Sequence, residues 1–110
     1  MATVLVVDLT ALLDTSKVGI EAAKTLEKEW QAAHQAPEAE RVELLRKLQA
    51  RRDVAREALF SRARPLVAAI GKEKRADLVL DRSAVLWAAN AEDVTKLLID
   101  RVDAAGPLKL

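Results

Sequence analysis

At 110 residues the chain is long enough for one domain, and a core cut from so few residues is marginal unless contacts from outside the chain complete it. Eighteen Lys plus Arg against seventeen Asp plus Glu leave a formal charge of +1, so total charge selects neither nucleic acid nor membrane as a partner. The absence of cysteine excludes disulfides and thiolate chemistry, and three aromatic residues, Trp30, Phe60 and Trp87, are too few for a sandwich or barrel and match the bias of long helices. No apolar run approaches the roughly 18 residues of a membrane span, and MATVLVVDL has neither a basic leader nor a long apolar region. The expectation is a soluble chain, with a removed leader ahead of Met1-Ala2 left open.

In chain order, residues 3–8 are the first strong element, because Val4, Leu5, Val6 and Val7 are apolar without alternation, as in a strand covered on both faces. Asp14, Thr15 and Ser16 are cap candidates for a helix whose Ala23, Leu26, Trp30 and Ala33 follow at coiled-coil spacings. His34-Gln35-Ala36-Pro37 marks a tip, with Pro37 suited to the first turn of a return helix. That helix carries Val42, Leu45, Leu48, Ala55, Leu59 and Leu66 in near-heptad register, interrupted by Arg52 and Arg62, so the seam is expected to be partial and wet. Pro65 predicts a kink near Arg64, and residues 71–76 a passage to the next strand.

Residues 77–81 and 84–87 are predicted as two strands with Asp81-Arg82-Ser83 as the turn, residues 88–92 as a loop. Asp93 or Thr95 then caps a last helix that buries Val94, Leu97, Leu98 and Val102 and stops at Gly106-Pro107. The fold class is α+β: a small β body, residues 1–15 and 76–110, and a helical hairpin arm, residues 16–75. Three strands apolar on both sides are too little sheet for one chain to cover, so neighbouring subunits are expected to complete it through Val4, Leu5, Val6, Val7, Leu78, Val79, Leu80, Val85, Leu86 and Trp87.

Catalytic motifs are missing their parts. Gly19, Gly71 and Gly106 are the only glycines, too few for a P-loop or dinucleotide fingerprint, and the single His34 has no cysteine to share a zinc site with. Ser16, Ser61 and Ser83 lack a nucleophile-elbow context, and Asp77 and Asp81, at i and i+4, suit strand-end duty better than acid/base work. No catalytic, metal or cofactor site is expected. Charge is uneven: residues 38–64 hold eight basic and five acidic side chains, so the return helix is basic and the remainder slightly acidic. Most of these charges suit a solvated helix face. With so few aromatic side chains, nucleic acid is not the expected partner.

Two blocks carry a family resemblance. Val7-Asp8-Leu9, Leu12-Leu13 and Ser16-Lys17 followed by Gly19 are similar to the opening pattern of the Skp (OmpH) family of periplasmic chaperones. The run from Ala76-Asp77-Leu78-Val79-Leu80-Asp81-Arg82-Ser83-Ala84-Val85-Leu86-Trp87 to Asp93-Val94-Thr95, preceded by Pro65-Leu66, resembles its closing signature. The resemblance covers residues 4–19 and 65–102. It implies a homotrimer in the periplasm, with strands from each subunit in a central barrel and three arms around unfolded outer-membrane proteins, working without ATP. About 20 residues from Ser16 to Gln35 make an arm of roughly 30 Å, short for that family. Lipopolysaccharide binding is not carried over, because the arm does not align.

The reading is therefore a non-catalytic holdase without cofactors. Its expected client contacts are Trp30, Ala33 and Leu44 near the tip, with Arg41, Arg46, Arg51 and Arg56 as the charged component. The alternative is an adaptor trimer whose short arms dock on one folded partner or an envelope assembly, and contact with a membrane surface stays open.

Overall fold

A computed structural model describes residues 2–109. Its centre is β1, Val4–Val7, flanked on one side by β2, Leu78–Asp81, and on the other by β3, Glu92–Asp93, all parallel. Val4 pairs with Leu78 and Val7 with Asp81, while Leu5 and Val6 lie opposite Glu92 and Asp93. Paired residues share a face, so Leu5, Val7 and Val79 point one way and Val4, Val6, Leu78 and Leu80 the other.

The first face is covered by four helices: α1, Leu9–Thr15; α2, Lys17–His34; α3, Glu38–Glu73; and α4, Thr95–Ala104. Leu5 and Val7 are buried there with Leu12, Leu59, Ile70 and Leu98, and Val79 packs against the same cluster. Completion by neighbouring subunits is thus not what covers these three side chains; the chain's own helices do so. The second face has only the irregular residues 85–91 over Val4, Val6 and Leu80.

Two expected elements differ. Residues 84–87 do not form a hairpin strand: Arg82–Ala84 is a single 3-10 turn, and Val85 leads into an irregular stretch. The third strand comes later, at Glu92–Asp93, where the end of a loop and a helix cap are expected, and it joins β1 in parallel, with Val94 donating its amide to the Val6 carbonyl at 2.9 Å. The sheet is therefore parallel, with no two sequential strands adjacent through a tight turn. Helix α1 was also not foreseen; Asp8 caps it by accepting from the Ala11 amide at 3.0 Å.

The long helices are close to expectation. Ser16 caps α2 through the Gly19 amide at 2.9 Å, and Asp103, from α4, accepts from the Lys17 and Val18 amides at 3.1 and 3.0 Å. Pro37 sits at the cap position one residue ahead of α3, which then runs unbroken through Pro65 to Glu73. Val42, assigned to the seam, is instead 75% exposed, whereas Leu48, Ala55 and Leu59 are buried. Antiparallel α2 and α3 extend the molecule to 60 Å in its longest dimension.

Asp77 and Asp81 bracket β1. Asp77 accepts from the Thr3 amide at 2.7 Å and Asp81 from the Leu9 amide at 3.1 Å, so two carboxylates four residues apart fix where β1 begins and ends against β2. The Ser83 hydroxyl holds the Asp81 carboxyl below the ordinary carboxylate range, and the Thr95 hydroxyl does the same for Asp93. A lowered folded-state value stabilises the fold above the ordinary range, and that stability is lost as pH falls through the folded value. The thermal midpoint is expected to drop on acidification below about pH 4. Asp81→Asn should flatten that drop, and an equally steep acid limb in the variant would contradict the bracketing role.

A tight elbow joins α1 to α2. A Cβ on Gly19 would stand 2.1 Å from the Leu13 carbonyl oxygen and 2.9 Å from its carbon, both backbone atoms that cannot rotate away. Gly19→Ala is expected to destabilise the fold by about 2–3 kcal/mol, read as a lower urea midpoint at unchanged slope. An unshifted midpoint would mean that the elbow opens freely.

Candidate functional site

Residues on the hairpin divide into those spent on holding α2 to α3 and those left outside. Leu26, Leu48 and Ala55 form its small core, with Trp30 half-buried against them. The Arg52 guanidinium lies 4.6 Å from the Trp30 ring centre, and His34 meets that ring edge-on at 4.7 Å and 86°. Arg52, at a position where a dry seam would be apolar, thus covers an aromatic face and keeps its charge near water. Trp30, expected as a client contact, is a packing residue.

One flank of the hairpin stays apolar and open. Ala32, Ala33, Leu44 and Leu48 line a groove of about 320 Å³ together with Lys47 and the Arg51–Glu29 ion pair between the helices. Beyond Arg51, Leu26, Ala50 and Val54 line a shallower depression of about 170 Å³. Leu44 and Val54 are exposed, so the structure brings the predicted Ala33, Leu44 and Arg51 onto one strip and adds Ala32, Ala50 and Val54. Val54 follows Leu44 by ten residues, close to three helical turns, which is the periodic signal that could have found it.

The predicted arginines are mostly engaged inside the chain. Arg41 donates to the Ala36 carbonyl at 3.2 Å and fastens the turn between α2 and α3; Arg46 binds Glu43 at 2.7 Å within α3. Arg51 has its pKa raised by hydrogen bonding to Glu29. Arg56 lies on the opposite flank, at the rim of a groove nearer the sheet.

A second apolar surface lies on the other face of the sheet, which residues 85–91 cover only in part and under which Val6 is buried. Val4, Val6, Leu80, Val85 and Trp87 line a groove of about 320 Å³ under residues 88–91. Beside it Leu86 is fully exposed, Trp87 is 80% exposed and Leu78 49%. Burying one such side chain is worth roughly 1.5–3 kcal/mol, so three left in water are a large unrealised stabilisation. Of the expected oligomerisation residues, Val4, Val6, Leu78 and Leu80 belong to this face and Val85 and Trp87 line the groove over it, Leu86 is exposed between those two, and Leu5, Val7 and Val79 face the helical core.

Among the described residues no group of three or more His, Asp or Glu could hold a metal ion, and no helix is long and apolar enough to cross a membrane. The acidic cluster at the strand ends is internally satisfied: Asp81 with Ser83 and Leu9, and Asp93 with Arg82 at 2.8 Å and Thr95 at 2.9 Å. These contacts position β2, β3 and α4. No family model matches the chain, and no curated protein matches it.

The division of labour on the hairpin predicts opposite outcomes for two truncations. Trp30→Ala should cost about 3 kcal/mol, because it removes the largest side chain of a small core. Val54→Ser should change stability by no more than about 0.5 kcal/mol. Urea unfolding of both variants checks this, and a neutral Trp30→Ala would return Trp30 to the exposed contacts.

Proposed function

We propose that the chain is an ATP-independent holdase of the Skp (OmpH) kind: a periplasmic homotrimer that binds unfolded outer-membrane proteins between short coiled-coil arms. The observation that carries the reading is the exposed apolar surface of Leu78 on β2 and of Leu86 and Trp87 in the irregular stretch that crosses the sheet side opposite the helical core. A single copy leaves that surface in water, and copies packed through it would bury it while leaving the hairpins free to project. The apolar strip through Ala32, Leu44, Ala50 and Val54 then supplies weak, unspecific contacts of the sort a holdase uses. Small side chains there favour many shallow contacts over one deep pocket.

Electrostatics is secondary in this reading, since Arg41, Arg46 and Arg51 are engaged within the chain. Suppression of aggregation of a urea-diluted outer-membrane protein is expected without nucleotide, and to change less than about twofold between roughly 0.05 and 0.5 M salt. Leu44→Asp with Val54→Asp should abolish it while leaving the fold intact. Failure of the unmodified chain to suppress aggregation would overturn the holdase and leave saturable docking on one folded partner as the alternative.

A further inference from the structure

On its β2 side the sheet ends without a further strand. The Asp77 amide donates to the Thr3 carbonyl at 2.8 Å, which sets the phase of the parallel ladder: Val79 and Asp81 turn their main-chain groups to β1, and Leu78 and Leu80 turn theirs outward. The far side of β1 agrees, since the Val6 carbonyl, opposite in phase to that of Thr3, serves Val94. Among the described residues no turn, loop or cap bonds the main chain of Leu78 or Leu80. An unpaired edge is a template for one more strand, and proteins guard such edges with proline, lysine or a bulge. Leu78–Asp81 carries none of these.

Both faces beside this edge suit the alternating side chains of a strand. On the helical side, Val79 shares with Phe60, Ala63 and Val67 the wall of a pocket of about 260 Å³, so a side chain set down next to Val79 meets that pocket. On the other side Leu78 is 49% exposed. The carboxylates of Asp77 and Asp81 stand at the two ends and decide between occupants. A copy of β2 laid antiparallel in the register that uses all the outward groups, Leu78 opposite Leu80, would set Asp77 opposite Asp81 at both ends, and like charges directly opposite one another are unfavourable. The two residues of β3 are too short an edge to match. A strand with basic flanks meets the same carboxylates favourably.

We infer that the outer edge of β2 binds an extended polypeptide as an additional strand, with an aliphatic side chain over the pocket between Val79 and Val67 and basic residues at its ends. Main-chain bonds to Leu78 and Leu80 supply the affinity, and the pocket selects among alternate side chains. This site is separate from the flank of the hairpin and does not rest on the holdase reading.

The probe is a fluorescein-labelled peptide, KKTVTVKK, followed by polarisation against the intact chain. Methylating its valine amide nitrogens, or its threonine amide nitrogens instead, gives two further probes of equal apolarity. Only one alternate set faces the edge, so one of the two should bind as the parent does and the other should not bind. In the chain, Leu78→Pro removes an outward amide at the first residue of the strand, where proline is tolerated, and should weaken binding about tenfold relative to Leu78→Ala, which keeps that amide. The methylated probes report on the unaltered chain and decide the matter if Leu78→Pro does not fold by circular dichroism. Equal binding of the two methylated probes, or equal affinity of the folded proline and alanine variants, would overturn the inference. So would a parent probe that fails to bind, and a molar mass lowered in Leu78→Pro but not in Leu78→Ala would then give the edge to a second copy. Aggregation suppression is scored separately: probe binding without suppression supports the edge site and counts against the holdase.

Discussion

Parallel pairing of β1 with β2 is the constraint on which the rest of the structure depends. The two strands lie 74 residues apart in register, Val4 opposite Leu78, so everything from Leu9 to Glu73 is a connection that must leave one end of the sheet and return to the other. A parallel pair needs such a crossover. Here the crossover is overlong, and its surplus is folded into the α2–α3 hairpin. The entropic cost of closing a long loop rises slowly with length, by about 0.6 kcal/mol per doubling, so the surplus is cheap once the ends are pinned. Asp77 and Asp81 pin them, through the Thr3 and Leu9 amides at either end of β1. Asp103 ties the start of α2 to α4, so the hairpin leaves the body from a fixed base.

The same arrangement explains why apolar surface remains outside. All four helices lie on the Leu5, Val7 and Val79 side, because α3 returns along the face from which α1 left. The Val4, Val6, Leu78 and Leu80 side receives only residues 85–91, a segment that contributes alanines and asparagine and leaves Leu86 and Trp87 turned to water. One half of the sheet is thus a finished core and the other half an unfinished one. Along the hairpin the packing is economical in a different way: large side chains are concentrated at Leu26, Trp30 and Leu48, and the outer flank carries small or singly exposed ones.

Much of this was legible from residue patterns, and the failures have physical causes. Unbroken Val4 to Val7 announced a two-sided strand, Ser16 a helix cap, and Leu48, Ala55 and Leu59 a helical seam, since burial periodicity is written locally. The segment 84–87 looked like a strand because Val85, Leu86 and Trp87 favour extended backbone, yet it pairs with neither outer edge of the sheet. Glu92 reads as the end of a loop and Asp93 as a helix-cap candidate, and the two form a strand only through backbone bonds to β1, which no local pattern records. At the candidate site, Leu44 and Ala33 could be placed from spacing. That Arg52 covers Trp30, and that Arg62 donates to the Gly106 carbonyl, depend on a facing helix or a partner distant in sequence, whereas His34 stands one turn from Trp30 on the same helix.

The proposed completion of the sheet face by further copies of the chain is read from the molar mass by light scattering. A homotrimer has three times the 12.0 kDa of one chain, and Trp87→Asp should bring the mass down to that of a single chain with helical content retained. A native chain that stays at 12.0 kDa across the concentration range would contradict it, because Leu78, Leu86 and Trp87 would then have no copy to bury them.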